Sequence, residues 1–270
     1  TGGYHAFYVS PKSVAHPNVR ISKNWADLEA VYADLKKKNV EFPILFENQS
    51  YVNYGLITAF GGYIFGTNAD GSYNNQDVGL DNAGAIKFAK WLDSMVKKGI
   101  IKPGQDGNTC QTLWVDGKAG LFPSGPWHLQ TFMKAGIKIQ IDMLPAAEKE
   151  ANGYLSVRAF GLNKLGKQLP LASTYLTEYL ASDEPQKIFS DMTAKESPWL
   201  PVKAQTTNEI VKMQIEAAKN AVPIPSVPGI MAYWNAMSDA TALILNQQGD
   251  PEQAMKTLAA KVREAVKAAG

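Results

Sequence analysis

Three short stretches of the sequence place an aromatic side chain among polar ones where a strand or a loop gives way to a helix. They are PSGPWHL with Trp127, ENQSYVNY with Tyr51, and PGIMAYWNAMSD with Trp234. Aromatic faces can stack on sugar rings while nearby amides and hydroxyls hydrogen-bond to the ring hydroxyls. The set therefore favours a carbohydrate-like ligand. The alternative is that each ring only packs its own helix into the core.

The polar neighbours of these rings are mostly neutral groups. Gln49, Ser50 and Asn53 surround Tyr51, and Tyr233 and Asn235 flank Trp234 in the first turn after a proline-rich segment. Neutral amides and hydroxyls both donate and accept hydrogen bonds, which suits a polyhydroxylated ligand better than a charged one.

Residues suited to catalysis are few. The three histidines are His5, His16 and His128, and none belongs to a metal-binding H-x-x-x-H or H-E-x-x-H pattern. The sequence has no phosphate-binding loop, no G-x-G-x-x-G and no G-x-S-x-G. The single cysteine, Cys110, allows neither a disulfide framework nor a cysteine metal site, and its helical setting favours burial. We therefore expect no cofactor, no metal and no reaction.

Two other functions stay open at this point. A glycan hydrolase would need two carboxylates about 5–10 Å apart across a cleft, and the sequence neither marks nor excludes such a pair. An interaction domain with a vestigial cleft would bind no sugar at all. His128, which follows Trp127, is a lesser candidate for ligand contact.

Composition narrows the possible partners. The chain has 270 residues, 45% of them hydrophobic and 19% charged, and a net charge of +2. Nucleic acid is excluded as the main partner because its binding needs a clustered positive surface. No apolar run is long enough to cross a bilayer. The start at Thr1 has no signal-peptide pattern, so we expect a mature or a truncated form.

Alternating strand and helix patterns predict an α/β sheet. Strands are predicted at 4–10, 42–47, 118–122, 137–145 and 154–163, with a hairpin at 63–74. Helices are predicted at 24–39, 50–62, 80–99 with Asp81 as its cap, 108–115, 129–136, 170–182, 184–195, 207–221, 230–246 and 251–268, and a loop at 199–205. Ligands of open α/β sheets bind beyond the carboxyl ends of the strands, where the Trp127 corner lies.

Three longer segments resemble the maltose/maltodextrin-binding proteins, the solute-binding components of sugar ABC importers. They are GGYIFGTNADGSYNNQDVGLDNAGA, KAGLFPSGPW and PSVPGIMAYWNAM. Their order and spacing match that family along nearly the whole chain, and the G-P-W corner and the D-N-A-G-A segment after the hairpin are fairly specific to it. The resemblance implies a type II periplasmic-binding-protein-like fold, with two α/β lobes and the sugar in the cleft between them.

The same resemblance implies roles for particular residues. Tyr51, Trp127 and Trp234 are expected to stack on glucosyl-type rings. Among the polar positions, Gln49 falls on an acidic residue of the family, Asn235 on a Tyr, Ser238 on an Arg, and Tyr4 near a Glu of the first hinge strand. The aromatic positions thus persist while the polar contacts differ, which predicts a different oligosaccharide or an altered ring preference.

Family members carry roughly a hundred more residues at the amino end, about one domain's worth. We therefore expect mostly the second lobe here: a hinge strand at 1–8, lobe two at 9–155 and 208–270, and incomplete lobe-one helices at 156–207. Those helices should expose an apolar face that includes Tyr175, Leu176, Tyr179, Ile188 and Phe189. The expected partners are an oligosaccharide, the permease subunits and the missing lobe-one segment, which belongs either to a longer form of this chain or to a separate chain. The resemblance also implies an extracytoplasmic location, in a periplasm or on a lipid anchor.

Overall fold

The structure is a computed structural model that describes residues 6–9, 24–137, 140–157 and 159–269. The strands are β1 (Ala6–Val9), β2 (Phe42–Ile44), β3 (Phe65–Thr67), β4 (Tyr73–Val78), β5 (Ala119–Ser124), β6 (Gln140–Asp142), β7 (Tyr154–Leu155) and β8 (Val222–Pro223). The helices are α1 (Leu28–Lys37), α2 (Ser50–Ala59), α3 (Ala83–Lys97), α4 (Gly107–Val115), α5 (Leu129–Lys134), α6 (Leu169–Thr174), α7 (Asp183–Thr193), α8 (Leu200–Ala204), α9 (Glu209–Ala217), α10 (Ile230–Leu245) and α11 (Pro251–Ala268). Short 3-10 turns at Trp25–Asp27 and Pro126–His128 lead into α1 and α5.

The central sheet has four strands in the order β2, β5, β1, β6. β2 runs parallel to β5, with Phe42 opposite Ala119 and Ile44 opposite Leu121. β1 lies between β5 and β6 and is antiparallel to both. The predicted α/β sheet is therefore present, as a mixed sheet rather than a purely parallel one.

Two stretches that are distant in sequence share one hydrophobic core. Ile57 of α2 and Phe88 of α3 lie in the same buried cluster as Met237 of α10 and Leu258 of α11. The chain after residue 208 thus folds back onto the chain before residue 155, an arrangement that the predicted lobe two requires. The exact division into hinge and lobes stays a prediction.

Most of the predicted helix ends and turns are present in the structure. Gly99 and Gly136 adopt positive φ, 70° and 68°, directly after α3 and α5, which is the conformation that ends a helix. The predicted hairpin is formed by β3 and β4, with Gly71 at φ 83° in its turn and the Asp70 side chain accepting a hydrogen bond from the Ser72 amide at 2.9 Å.

Three local predictions were wrong or only partly right. The predicted strand 154–163 is paired as a strand only at Tyr154–Leu155. The stretch 199–205 is not a loop, because α8 forms there with Pro201 in its first turn, where its missing N–H costs little. The predicted helix 170–182 changes after Thr174 into a π-helical turn at Tyr175–Leu180.

The cap of α3 was also predicted wrongly. Asn82, not Asp81, is the N-cap, and its side-chain oxygen accepts a hydrogen bond from the Ala85 amide at 2.8 Å. Asp81 instead forms a two-point ion pair with Arg263 of α11, with both nitrogen–oxygen distances 2.7 Å. Arg263 also donates to the Val78 carbonyl at 2.9 Å, so this pair joins α11 to the start of α3 and the end of β4.

Four of the five residues of the predicted apolar face are exposed, and the fifth, Leu176, is half-buried. Tyr175, Tyr179, Ile188 and Phe189 are 51%, 57%, 48% and 46% exposed. Exposed apolar side chains of this size are fewer on most protein surfaces. Among the described residues, no helix has the length and apolar character needed to span a membrane.

We expect the substitution Asp81→Asn to lower the free energy of unfolding by about 1 kcal/mol at neutral pH, since it removes one charge of a partly exposed two-point pair. Hydrogen bonds from Arg263 lower the pKa of Asp81 in the folded protein. A lowered folded-state pKa gives stability above the titration of an unfolded carboxyl, about pH 4, and this stability is lost as the pH falls through the lower value. Denaturant unfolding across this pH range measures the difference.

Asp239→Asn is the matched control, because its carboxylate lies 3.9 Å from Lys261 and both side chains are mostly exposed. Its effect should stay within about 0.5 kcal/mol. An equal loss in the two variants, or a loss for Asp81→Asn that persists in acid, would contradict the role given to the Asp81–Arg263 pair.

Candidate functional site

The parallel pairing of β2 with β5 brings two of the three aromatic corners together. Both strands end at the same edge of the sheet, and each chain segment then turns into a helix, α2 after β2 and the 3-10 turn after β5. As a result the rings of Tyr51 and Trp127 lie with their centroids 5.8 Å apart and their planes at 73°. This edge-to-face contact joins residues that are 76 positions apart (127 − 51) in the sequence.

The third aromatic corner belongs to a segment near the carboxyl end of the chain. Trp234, in the first turns of α10, stacks on Tyr51 with a centroid distance of 6.3 Å and an interplanar angle of 25°. Tyr51, Trp127 and Trp234 therefore form one continuous surface, which we call the aromatic platform. Trp127 is 37% exposed, and the other two rings are half-buried.

Hydrogen bonds hold α10 against the start of α2. The Ser50 hydroxyl donates to the Trp234 carbonyl at 2.6 Å and lies 3.2 Å from the Ser238 hydroxyl. The Tyr233 hydroxyl donates to the Ser50 carbonyl at 2.8 Å, and the Asn48 side-chain amide donates to the Ser238 carbonyl at 3.2 Å. These bonds satisfy buried polar groups and fix Trp234 in position relative to Tyr51.

A second layer of rings supports the platform from behind. Tyr154 lies 5.5 Å from Tyr51 and 6.0 Å from Trp234, measured between ring centroids, and it stacks in parallel on Tyr54 at 3.7 Å. Burial raises the pKa of Tyr54, Tyr154 and Tyr233 well above the usual tyrosine value. These hydroxyls therefore stay neutral, and the rings contribute packing and hydrogen bonds but no charge.

The predicted polar contacts fall into three groups. Gln49 and Asn235 are exposed and lie close in sequence to two platform rings, Gln49 two positions before Tyr51 and Asn235 directly after Trp234. Ser238 is half-buried and is already bound to Ser50. Tyr233 is fully buried with its hydroxyl on Ser50, so its position corresponds to a supporting residue rather than to a ligand contact. Tyr4 lies outside the described residues.

The corner that carries Trp127 is tightly built. Gly125 has φ −140°, an ordinary extended conformation, but a side chain there would overlap the six-membered ring of Trp127. Pro126 begins the 3-10 turn, and His128 is buried behind it. The indole thus folds back over bare backbone, which keeps it at the surface instead of in the core.

Two residues at this site were missed from the sequence. Tyr154 was assigned only to a strand, and nothing in its local pattern predicts its contacts with residues from α2 and α10. Glu47 was given no role, although a carboxylate at the end of the apolar run FPILFE is a signal of a buried charge that needs a partner. Glu47 is 5% exposed, and its carboxylate accepts a hydrogen bond from the Ser124 hydroxyl at 3.3 Å.

The site offers little to catalysis or to metals. No group of three or more His, Cys, Asp or Glu side chains that could hold a metal ion occurs among the described residues. Burial raises the pKa of the Cys110 thiol, and the nearby charges of Glu47 and Asp106 raise it further. Cys110 is therefore a neutral thiol inside the fold, unsuited to act as a nucleophile.

Residues 2–218 match the bacterial extracellular solute-binding proteins. The chain belongs to this family. Its predicted α/β fold class is confirmed by that match and by the mixed helix-and-sheet structure.

Several solute-binding relatives are named for sugars. A galactooligosaccharide-binding protein of Bacillus subtilis is 30% identical over 259 residues, covering 91% of this chain and 60% of that protein. A maltooligosaccharide ABC transporter solute-binding lipoprotein of Streptococcus pneumoniae is 26% identical over 264 residues, with the same two shares. A maltodextrin-binding protein of Bacillus subtilis is 28% identical over 194 residues, covering 68% of this chain and 45% of that protein. The chain thus spans about 60% of the length of the first two relatives.

We expect Gly125→Ala to displace the Trp127 ring of this solute-binding protein, because the new methyl group needs the space that the ring occupies. The near-ultraviolet circular dichroism of the coupled Tyr51 and Trp127 rings should change, and the free energy of unfolding should fall by about 1–3 kcal/mol through overpacking.

Gly161→Ala is the control for this substitution, since no atom lies within 4 Å of the position that its methyl group would take. It should leave the aromatic signal unchanged. An unchanged signal in Gly125→Ala as well would mean that Trp127 is not held over the backbone as described.

Proposed function

We propose that this chain is the sugar-binding part of the solute-binding component of an ABC importer, and that it holds an oligosaccharide without altering it. The observation that carries the proposal is the aromatic platform, because a solute-binding family member presents three adjoining rings at the carboxyl edge of its sheet. The relatives named for galactooligosaccharides and maltooligosaccharides support the same class of ligand.

The platform suits a chain of sugar rings in both shape and polarity. Trp127 meets Tyr51 edge to face and Trp234 stacks on it, so the apolar faces of successive sugar rings can lie on adjoining aromatic rings. Gln49 and Asn235 are exposed at its margin and supply donors and acceptors for sugar hydroxyls. The surface carries no charged group of its own, which favours a neutral saccharide over a charged solute.

We further propose that the protein acts together with the membrane subunits of the importer. Closure of two lobes around the sugar would create the surface that the permease subunits recognise, and the protein would work outside the cytoplasm, free in a periplasm or attached by a lipid. The Streptococcus pneumoniae relative is itself named a lipoprotein.

We also infer that additional polypeptide covers the apolar face between residues 156 and 207. Tyr175, Tyr179 and Ile188 are about half exposed, and the longer relatives contain sequence that this chain does not match. That polypeptide would be the remainder of lobe one, in the same protein or in a separate chain, and it would supply the facing wall of the cleft.

Calorimetric titration with α- and β-linked oligosaccharides, maltotriose and galactotriose among them, tests the function. It is made on this chain and on a version preceded by the first-lobe region of the Bacillus subtilis galactooligosaccharide-binding relative. We expect saturable binding of a neutral oligosaccharide. Trp127→Ala should weaken it by about 1–3 kcal/mol, the range of a buried aromatic contact, with little loss of stability.

Tyr175→Ala, made in this chain without the added lobe, is the control, because this exposed ring lies in the segment 156–207 and not on the platform. It should leave the affinity unchanged. Binding that survives Trp127→Ala while stability collapses would make Trp127 a core residue. Release of glucose or maltose from maltotriose during incubation would show that the protein is a hydrolase. If no sugar binds, the protein would instead be an interaction domain.

A further inference from the structure

The three rings of the aromatic platform do not lie in one plane. The plane of Tyr51 makes an angle of 73° with the plane of Trp127 and of 25° with the plane of Trp234. The angle between two planes is never smaller than the difference between the angles that each makes with a third. The two indole planes are therefore inclined by at least 48° (73° − 25°), so the platform is bent between Trp127 and the other two rings.

The plane of Trp127 is set by the backbone beside it. Three carbon atoms of its six-membered ring lie 2.1, 2.3 and 2.6 Å from the position that a Cβ atom on Gly125 would take. Pro126 begins the 3-10 turn, and its fixed φ determines how the chain enters that turn. The indole therefore lies against bare backbone, which limits how far its plane can tilt.

Two buried rings set the plane of Trp234. Tyr233 meets it at 70° with a centroid distance of 5.1 Å, and Tyr154 meets it at 63° with a centroid distance of 6.0 Å. Both tyrosines are fully buried, and the Tyr233 hydroxyl donates to the Ser50 carbonyl at 2.8 Å. Edge-to-face contacts are a favourable arrangement of aromatic rings, so they stabilise the observed plane. The bend is thus built into the fold.

A bent platform restricts the shape of a sugar chain that lies on it. A sugar ring stacks with its apolar C–H face parallel to the aromatic plane. An oligosaccharide that stacks on both indoles must therefore turn its ring planes by at least 48° between units (73° − 25°). Both indole centroids lie within 6.3 Å of the Tyr51 centroid, so three sugar units are enough to reach both.

The linkage decides whether a sugar chain turns in this way. Where both bonds of the linkage are equatorial, as in cellotriose, successive rings form an extended, flat ribbon. Where one bond is axial and the other equatorial, successive rings are inclined and the chain curves. Maltotriose belongs to this second class through its axial anomeric bond, and galactotriose joined through the axial hydroxyl of galactose belongs to it as well. A flat chain that stacks on Trp234 leaves Trp127 uncovered, whereas a curved chain can contact both.

We infer that the bent platform selects neutral oligosaccharides whose linkages join one axial and one equatorial bond, and that it discriminates against flat, all-equatorial chains. This inference rests on the proposed function and specifies its ligand. The discrimination comes from Trp127, because a curved chain keeps this aromatic contact and a flat chain loses it.

Calorimetric titration with maltotriose and cellotriose tests the selection directly, because both consist of three glucose units and differ only in the linkage. Galactotriose joined through its axial hydroxyl is the second curved sugar. Each ligand is titrated into this chain and into the version that is preceded by the first-lobe region. We expect the tighter of the two curved sugars to bind at least about tenfold more tightly than cellotriose, which corresponds to about 1.4 kcal/mol.

The same titrations separate a failure of this inference from a failure of the proposed function. Cellotriose that binds as tightly as the tighter curved sugar would overturn the inference and leave the proposed function standing. Absence of binding by all three sugars, to both forms of the protein, would overturn both.

Trp127→Ala removes the ring on one side of the bend. It should weaken binding of the curved sugar more than binding of cellotriose, so the preference should fall to about threefold or less, as expected when one main aromatic contact is lost. Trp127→Phe is the matched control, since it keeps an aromatic ring at this position and should keep the preference. A full tenfold preference that persists in Trp127→Ala would show that the bend does not select the linkage.

Intermolecular nuclear Overhauser effects give a test that needs no variant. In the complex with the tighter curved sugar, ring protons of Trp127 and Trp234 should show contacts with different sugar units. With cellotriose, such contacts should be confined to one of the two indoles. Cellotriose that contacts both indoles at once would overturn the inference, because a flat chain would then fit the platform.

Discussion

The parallel pairing of β2 with β5 is the constraint on which the site depends. It places the carboxyl ends of two strands at one edge of the sheet, so that the segments carrying Tyr51 and Trp127 turn into helices side by side. A shift of one residue in this register would turn the alternating side chains of β5 over and move its corner relative to β2. Buried Glu47 lies at the same edge and accepts a hydrogen bond from the Ser124 hydroxyl of β5 at 3.3 Å, so this contact depends on the same register.

The rest of the platform depends on a long-range contact. Ser50 of α2 forms hydrogen bonds with Tyr233, Trp234 and Ser238 of α10, which lie 183, 184 and 188 positions further along the sequence. Such a contact forms only when the chain after residue 208 has returned to the first part of the sheet. The aromatic surface is therefore a product of tertiary folding, and the fully buried Tyr154 and Tyr233 are as necessary to it as the rings that face solvent.

Much of the secondary structure could be predicted because its signals are local. The hairpin turn at Asp70-Gly71 and the glycine-ended helix α3 follow from residues within a few positions of each other. The three aromatic corners could also be recognised, because ring and polar neighbour are adjacent in sequence.

Contacts between residues that are distant in sequence could not be predicted, because only the fold brings those residues together. Asp81 was predicted to cap a helix, but it forms an ion pair with Arg263, 182 positions away. Asn82 is the N-cap instead. Tyr233 reads as a ligand contact, yet its hydroxyl is used within the fold. The 3.6 Å approach of Glu47 to His128 could not be predicted either, because it depends on which strands are neighbours and not on the spacing of the two residues in the sequence.

The most direct test of the account is an NMR titration that follows the indole Nε1–H resonances of the six tryptophans while maltotriose or galactotriose is added. If the platform is the binding surface, Trp127 and Trp234 should shift together and saturate at one affinity, while Trp25 and Trp114, which are buried in the two hydrophobic clusters, stay in place. Saturable shifts confined to tryptophans outside the platform would contradict the central claim, as would binding seen by calorimetry without any shift of Trp127.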